Sequence, residues 1–177
     1  MAKKIFNVAF YVIIAFYTFL MLDLLFRFSV IASGTFAKRN YNLIPFATIW
    51  EYLSGQSGAA QNHVMVNILG NIAVFVPYGV YLQTFLKDKS LKKSFLIAAV
   101  TSLSVEILQF VLAVGAADVD DIILNTFGAI AGILIYKLLR KLLRDESRAK
   151  NAVAAVTIIC GLPIAVIYTI LFISRLL

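Results

Sequence analysis

The sequence predicts an all-α membrane protein, a bundle of five transmembrane helices with a short interfacial helix in its first outer loop. Hydrophobic residues make up 62% of the 177 residues and charged residues only 14%, which lies outside the range of soluble globular proteins. Five apolar runs follow one another, and most of the Lys and Arg residues stand in short segments beside them. That placement is typical of membrane topology and not of a nucleic-acid-binding surface.

The five predicted spans cover residues 5–26, 66–86, 94–114, 121–136 and 152–173. The first run is long enough to cross a hydrocarbon core about 30 Å thick, so we expect it to be retained as a helix. The basic segment 137–150 is expected to extend the fourth helix beyond the membrane. Gly161 and Pro163 predict a bend in the last span. The length fits one domain, residues 1–177.

The stretch 42–52 predicts the short interfacial helix. Asn42 is of a residue type that initiates helices, Pro45 suits a first turn, and Gly55 follows soon after the end. Trp50, the single Trp of the chain, suits the headgroup layer. We therefore expect this helix to lie in the outer membrane interface, between the first and second spans.

The distribution of basic residues predicts the N-terminus inside the cell and the C-terminus outside. With that orientation twelve of the 16 Lys and Arg residues face the cytoplasm, as the positive-inside rule requires. The four outer ones are Arg27, Lys38, Arg39 and Arg175. The connection at residues 87–93 is then a cytoplasmic loop.

Polar residues interrupt three of the spans near their predicted outer ends. The second span contributes two amides, the third a carboxylate and an amide, and the fourth two carboxylates and an amide. These residues are Asn67, Asn71, Glu106, Gln109, Asp118, Asp121 and Asn125. Because the second and fourth spans enter from outside and the third runs outward, all seven are predicted at similar depth. We therefore predict that they meet just beneath the outer membrane surface.

Structural roles are the alternative for several of these residues. Amides can join helices by hydrogen bonds without any further role. Asp118 and Asp120 can cap the fourth helix, and capping is the expected role of Asp120. Glu106 differs, because an acidic residue inside an apolar helix needs a proton, a cation or a basic partner, and Arg39 is the best candidate partner. His63 stands at the mouth of the second span, where an interface role is expected ahead of a catalytic one.

Four ordered motifs resemble the VanZ-like family of bacterial membrane proteins. They are Arg39-x-x-Asn42-Leu43-Ile44-Pro45-Phe46, Asn67-x-x-x-Asn71-x-x-x-Phe75-x-Pro77-x-Gly79, Glu106-x-x-Gln109 and Asp118-x-Asp120-Asp121-x-x-x-Asn125-x-x-Gly128. Together they form a motif core at residues 39–128, and the last span lies outside it. Many relatives carry an Arg shortly before the acidic stretch, where this chain has Gly115-Ala116-Ala117, so a substrate contact by that Arg is not expected here.

The resemblance implies a multi-pass protein of the bacterial cytoplasmic membrane with a role in the cell envelope. The family is named after a protein associated with resistance to the glycopeptide antibiotic teicoplanin. That association implies a partner at the outer leaflet: a membrane lipid, a lipid-linked cell-wall precursor or the glycopeptide itself.

Two hypotheses of different class follow for the predicted polar site. In the first, an enzyme, Glu106, Asp118 and Asp121 are catalytic and hold a divalent cation, Mg, Ca or Mn, that polarises a phosphoester of a lipid headgroup. In the second, the site only binds a headgroup or glycopeptide. The expected substrate-binding residues are Arg39, Asn42, Asn67, Asn71, Gln109 and Asn125. In the enzyme, Asn125 would also hold the cation, and Arg39 and His63 would hold phosphate or shuttle a proton.

Overall fold

The protein is almost entirely helical in the computed structural model, which describes residues 2–34, 41–55 and 61–174. Within these residues the helices are α1 Ala2–Phe26, α2 Phe28–Ser33, α3 Ala47–Leu53, α4 Gln61–Phe85, α5 Leu91–Leu112, α6 Val119–Leu143 and α7 Glu146–Ser174. Two short strands, β1 Tyr41–Asn42 and β2 Ala117–Asp118, pair in parallel.

Five of the helices in the described part of the chain are long and apolar enough to cross a membrane. They cover Lys4–Phe26, Val64–Phe85, Leu91–Leu112, Val119–Leu143 and Glu146–Leu171. The predicted all-α membrane fold with five spans is therefore confirmed, and the chain is a multi-pass membrane protein. The helices separate into two compact units, Leu25–Leu138 and Met1–Leu24 with Leu139–Leu177. The single domain expected over residues 1–177 stays a prediction.

The sequence predicts that the basic segment 137–150 extends the fourth helix. The structure differs, because this segment contains the break between α6 and α7. Arg144 adopts a left-handed conformation with φ 53° and ends α6. The Asp145 carboxylate then accepts the backbone N–H of Arg148 at 2.6 Å and starts α7. Glu146 and Lys150 form an ion pair of 2.9 Å across the first turn. The last helix consequently begins before residue 152, where the sequence pattern had predicted its start.

The unit formed by Met1–Leu24 and Leu139–Leu177 pairs α1 with α7. The Tyr168 hydroxyl donates to the Asp23 carboxylate at 2.7 Å, and Gly161 allows α7 to lie against the Ile13 side chain. Because the contacts advance in the same direction along both helices, α1 and α7 are parallel. α7 continues as a helix through Pro163.

In the unit Leu25–Leu138, α5 runs antiparallel to both α4 and α6. The Tyr78 and Thr101 hydroxyls share a hydrogen bond of 2.8 Å between α4 and α5. The Ser102 hydroxyl donates to the Ile122 carbonyl of α6 at 3.2 Å. A second contact of each pair, Gln83 with Ser94 and Asp118 with Glu106, lies further along one helix and earlier along the other, so the three helices alternate in direction, as the predicted topology requires.

Glycines allow α4 and α6 to pack with their backbones in contact. A Cβ atom at Gly128 would collide with the Ile72 carbonyl, and one at Gly79 with the Ala129 carbonyl. Close approach of this kind, made possible by small residues, is a common way to join helices in membranes. It brings the first turns of α4 and α6 side by side.

A short helix, α3, lies between the first and second spans where the interfacial helix was predicted, but it begins at Ala47 and not near Asn42. The residues before it are held in an extended conformation, since β1 pairs Tyr41 with Ala117 and Asn42 with Asp118. Phe46 has φ 64° and separates this extended segment from the helix. The location of α3 in the membrane interface stays a prediction.

Candidate functional site

Hydrogen bonds join polar side chains from α3, α4, α5 and α6 at one end of the unit Leu25–Leu138. We call this hydrogen-bonded set the polar end. Its members are Asn42, Thr48, Asn67, Glu106, Asp118, Asp120 and Asp121. Four of the seven side chains are carboxylic acids, so the set is rich in hydrogen-bond acceptors.

Asp118 connects most of the polar end, because it bonds through both its backbone and its side chain. Its carboxylate accepts the Asn42 amide at 3.3 and 3.4 Å and the Thr48 hydroxyl at 3.0 Å. Its backbone N–H donates to Glu106 at 3.0 Å. The carboxylate also accepts the backbone N–H of Asp120 at 2.8 Å, which makes Asp118 the cap of α6. Asp118, which the sequence predicts to be catalytic, thus makes several hydrogen bonds that stabilise the fold.

Asp120 is fully buried and caps α3. The sequence predicts instead that it caps α6, its own helix. Its carboxylate accepts the backbone N–H groups of Phe46, Thr48 and Ile49, the last two at 2.8 and 3.4 Å. The first N–H groups of a helix have no partner within the helix, so a buried carboxylate there satisfies several donors at once. The structure therefore uses Asp120 to hold α3 against the start of α6.

Glu106 and Asp121 carry fewer hydrogen bonds than the other two carboxylates. Glu106 is 3% exposed and accepts the Asp118 N–H through one oxygen. Asp121 is half-buried, and one of its oxygens accepts the amide of exposed Asn67 at 3.1 Å. The charged groups that act on Glu106 among the described residues are Asp118 and Asp121, both acidic. These two side chains have the largest remaining capacity to accept hydrogen bonds from a ligand.

Two amides near this pair retain unused hydrogen-bonding atoms. Asn71 interacts with the Asp121 carboxylate, but its amide nitrogen makes no hydrogen bond of good geometry within the described residues. Asn125, one turn after Asp121 on α6, is 1% exposed, and its side-chain oxygen has no partner in the described part of the chain. Buried polar atoms in native proteins are normally satisfied, so a bound group or water is expected here.

The other expected site residues are placed elsewhere or lie outside the description. Gln109 is not in the polar end: its amide donates to the Leu25 carbonyl at 2.8 Å and so fixes the end of α1. Arg39 lies outside the described residues. His63 belongs to α4, but its side chain is likewise outside the described part.

The three carboxylates expected to hold a cation do not form a ligand set. Among the described residues no group of three or more His, Cys, Asp or Glu side chains is placed so that it could hold a metal ion. Both Asp118 oxygens accept hydrogen bonds from the protein, which leaves that carboxylate poorly suited to a cation. The arrangement of Glu106, Asp118 and Asp121 therefore does not fit the Mg, Ca or Mn site expected from the sequence.

Thr48 and Asp120 are members of the polar end that the sequence did not indicate as such. A signal for Thr48 was present, because it stands in the first turn of a helix after Pro45, where a partner for free N–H groups is required. For Asp120 the signal was ambiguous, since a carboxylate at a helix start can cap its own helix equally well.

Comparison with known proteins identifies the family of the chain. A model of the family described as VanZ/LLP1 matches residues 8–140. Over 115 residues the chain is 28% identical to Protein VanZ of Enterococcus faecium, an alignment that covers 65% of this chain and 63% of that protein. The chain thus spans less than two thirds of the length of this relative. No solved structure matches the chain.

The family match includes all the residues of the polar end and most of the chain. Residues from all four sequence motifs take part in the hydrogen bonds described above, since Asn42 and Glu106 both bond to Asp118 and Asn67 bonds to Asp121 of the same motif. On the extent of that match, the protein belongs to the VanZ/LLP1 family.

Proposed function

We propose that the polar end binds the headgroup of a membrane lipid or lipid-linked cell-wall precursor in the outer leaflet, and that this binding serves glycopeptide resistance. The headgroup presents hydrogen-bond donors, either an amine or the hydroxyls of a sugar. Glu106 and Asp121 receive these donors, and Asn71 and Asn125 orient the group. The protein acts as a binding protein of the cell envelope in the bacterial cytoplasmic membrane.

The observation that carries the proposal is the contrast between two pairs of carboxylates. Asp118 and Asp120 each accept several N–H and O–H groups of the chain itself, whereas among the described residues Glu106 accepts one backbone N–H, and Asp121 accepts the Asn67 amide and interacts with that of Asn71. Uncompensated acidic groups at membrane depth are costly and are retained for a partner. Because carboxylates accept hydrogen bonds and repel phosphate, the complementary part of the headgroup is an amine or hydroxyl group.

The proposed location in the outer leaflet depends on the charge distribution. Lys87, Lys89, Lys92 and Lys93 stand at the end of α4 and the start of α5, away from the polar end. The positive-inside rule favours the cytoplasm for such a loop and hence the outer surface for the polar end. Exposed Asn67 then forms the rim, and buried Glu106 the floor.

A role in glycopeptide resistance is supported by the family. The relative in Enterococcus faecium is called Protein VanZ, and the family resemblance implies resistance to teicoplanin. Teicoplanin carries a lipid and targets cell-wall precursors, so a protein that binds a headgroup at the outer leaflet changes the access of the drug to its target. Binding of the glycopeptide itself would use the same acceptor groups.

Expression of the chain in a teicoplanin-susceptible Gram-positive host tests the proposal. We expect the inhibitory concentration of teicoplanin to rise with the wild-type chain, and Glu106→Gln and Asp121→Asn to reduce that rise. Asp88→Asn is the matched control, because it removes an exposed carboxylate in the loop between α4 and α5. Equal susceptibility of cells with and without the chain would contradict the resistance role.

Lipid extracts from the same cells separate binding from chemistry. A binding protein leaves the lipid species unchanged while drug susceptibility changes. The appearance of a new or depleted lipid species, abolished by Glu106→Gln, would instead identify an enzyme. Membrane abundance of each variant, measured by immunoblot, excludes loss of the protein as the cause.

A further inference from the structure

An apolar groove lies between the start of α5 and the middle of α6, away from the polar end. Leu91, Lys92 and Phe95 of α5 and Ile130 and Ile133 of α6 line this α5–α6 groove, which has a volume of about 270 Å³. Lys92 and Glu106 are separated along α5 by about 21 Å at 1.5 Å per residue. The groove is therefore distinct from the site of the proposed function.

The α5 wall of the α5–α6 groove is exposed at the surface of the helices. Leu91 and Phe95 are each 51% exposed, whereas Ile133 is buried and forms the floor. Both helices are long and apolar enough to cross a membrane, so an open apolar groove between them is exposed to lipid acyl chains. A chain of methylene groups matches such a surface and leaves no polar atom unsatisfied.

One lysine lines the groove, and a second continues its α6 wall. Lys92 lines it directly. Lys137 follows Ile130 and Ile133 at helical spacing of seven and four residues, so it continues the same face of α6 by one turn. Lys93 forms an ion pair with Asp88. Among the described residues of this unit, Lys92 and Lys137 take part in no ion pair. A lysine pair above an apolar groove complements a phosphate with an attached acyl chain.

We propose that the α5–α6 groove binds one anionic phospholipid, with an acyl chain against Ile130 and Phe95 and its phosphate between Lys92 and Lys137. The occupant is a lipid and not a second copy of the chain, because a protein helix would leave both ammonium groups facing an apolar surface. The site is independent of the polar end and of its ligand.

Native mass spectrometry of the full-length chain in detergent tests the site. Phosphatidylglycerol and phosphatidylcholine are added separately, and we expect one retained molecule of the anionic lipid in preference to the zwitterionic one. Lys92→Gln and Lys137→Gln should each weaken retention of phosphatidylglycerol about fivefold. Lys141→Gln is the control, because it removes the same charge from α6 one turn further on and outside the groove.

A second pair of variants tests the apolar part. Ile130→Trp fills the groove and should abolish retention of the lipid, whereas Leu134→Trp adds the same side chain on an exposed face of α6 and should not. Equal loss with Lys141→Gln, or wild-type retention by both lysine variants, would overturn the proposal. A dimer lost on Ile130→Trp would also overturn it, by identifying a second copy as the occupant.

Discussion

The Asp120 carboxylate accepts the backbone N–H of Thr48 at 2.8 Å, although 72 residues separate the two in sequence. This bond attaches α3 to the first turn of α6. Thr48 also donates its hydroxyl to Asp118 at 3.0 Å. Two neighbouring acidic residues therefore fix one short helix, and they do so beside the Glu106 and Asp121 carboxylates that are proposed to bind the headgroup.

Asp120→Ala should release α3 from α6. The change leaves the N–H groups of Phe46, Thr48 and Ile49 without their buried acceptor, which costs at least the value of a charge-assisted hydrogen bond. We expect amide hydrogen exchange at Thr48 and Ile49 to accelerate about tenfold or more. Asp121→Ala, one residue further on, serves as the control and should leave these two amides protected. Unchanged exchange in Asp120→Ala would show that α3 is held by other contacts.

Gly128→Ala should weaken the packing of α4 on α6. The added Cβ would collide with the Ile72 carbonyl, and relief of such overpacking costs about 1–3 kcal/mol of unfolding free energy. Gly70→Ala is the matched control on α4, since a Cβ there meets no atom within 4 Å and alanine favours the helix. Reversible unfolding in detergent measures both variants. Equal stability of the two would contradict the close approach of the helices.

Asp88, in the loop between α4 and α5, should titrate below its ordinary pKa of 3.8. The backbone N–H of Ser90 and the charge of Lys93 favour the ionised carboxylate and lower its pKa. A lowered pKa contributes stability that is present above pH 3.8 and is lost as the pH falls through the lowered value. Carboxyl carbon chemical shifts followed against pH measure this titration. A pKa at or above 3.8 would show that the Ser90 contact is not maintained.

The meeting of polar residues from α4, α5 and α6 could be predicted from the sequence. Alternating direction of successive spans determines the depth of each residue, and helical spacing determines which residues share a face. Glu106, Asp118 and Asp121 were placed together on this basis, and the structure brings them within interaction distance. Gln109 met the same criteria but bonds to Leu25, because depth and face do not specify the partner.

The start of α3 and the break before α7 could not be predicted from local signals. Asn42 and Pro45 indicated a helix start five residues too early, since Asn42 is held in the strand pair with Asp118. This pairing partner lies far along the chain and leaves no mark on the residues around Asn42. At the other break, the Leu, Lys and Arg residues on both sides of Arg144 favour a continuous helix, so the local sequence does not specify the left-handed residue that ends α6.

Thiol labelling in intact cells tests most directly whether the polar end opens to the outer membrane surface. In a chain carrying Cys160→Ala, Asn62→Cys marks the exposed start of α4 and Lys87→Cys marks the loop between α4 and α5. We predict that a membrane-impermeant maleimide labels the cysteine at position 62 in intact cells and labels the one at position 87 only after permeabilisation. The reverse pattern would place the polar end in the cytoplasm and contradict binding of an outer-leaflet headgroup.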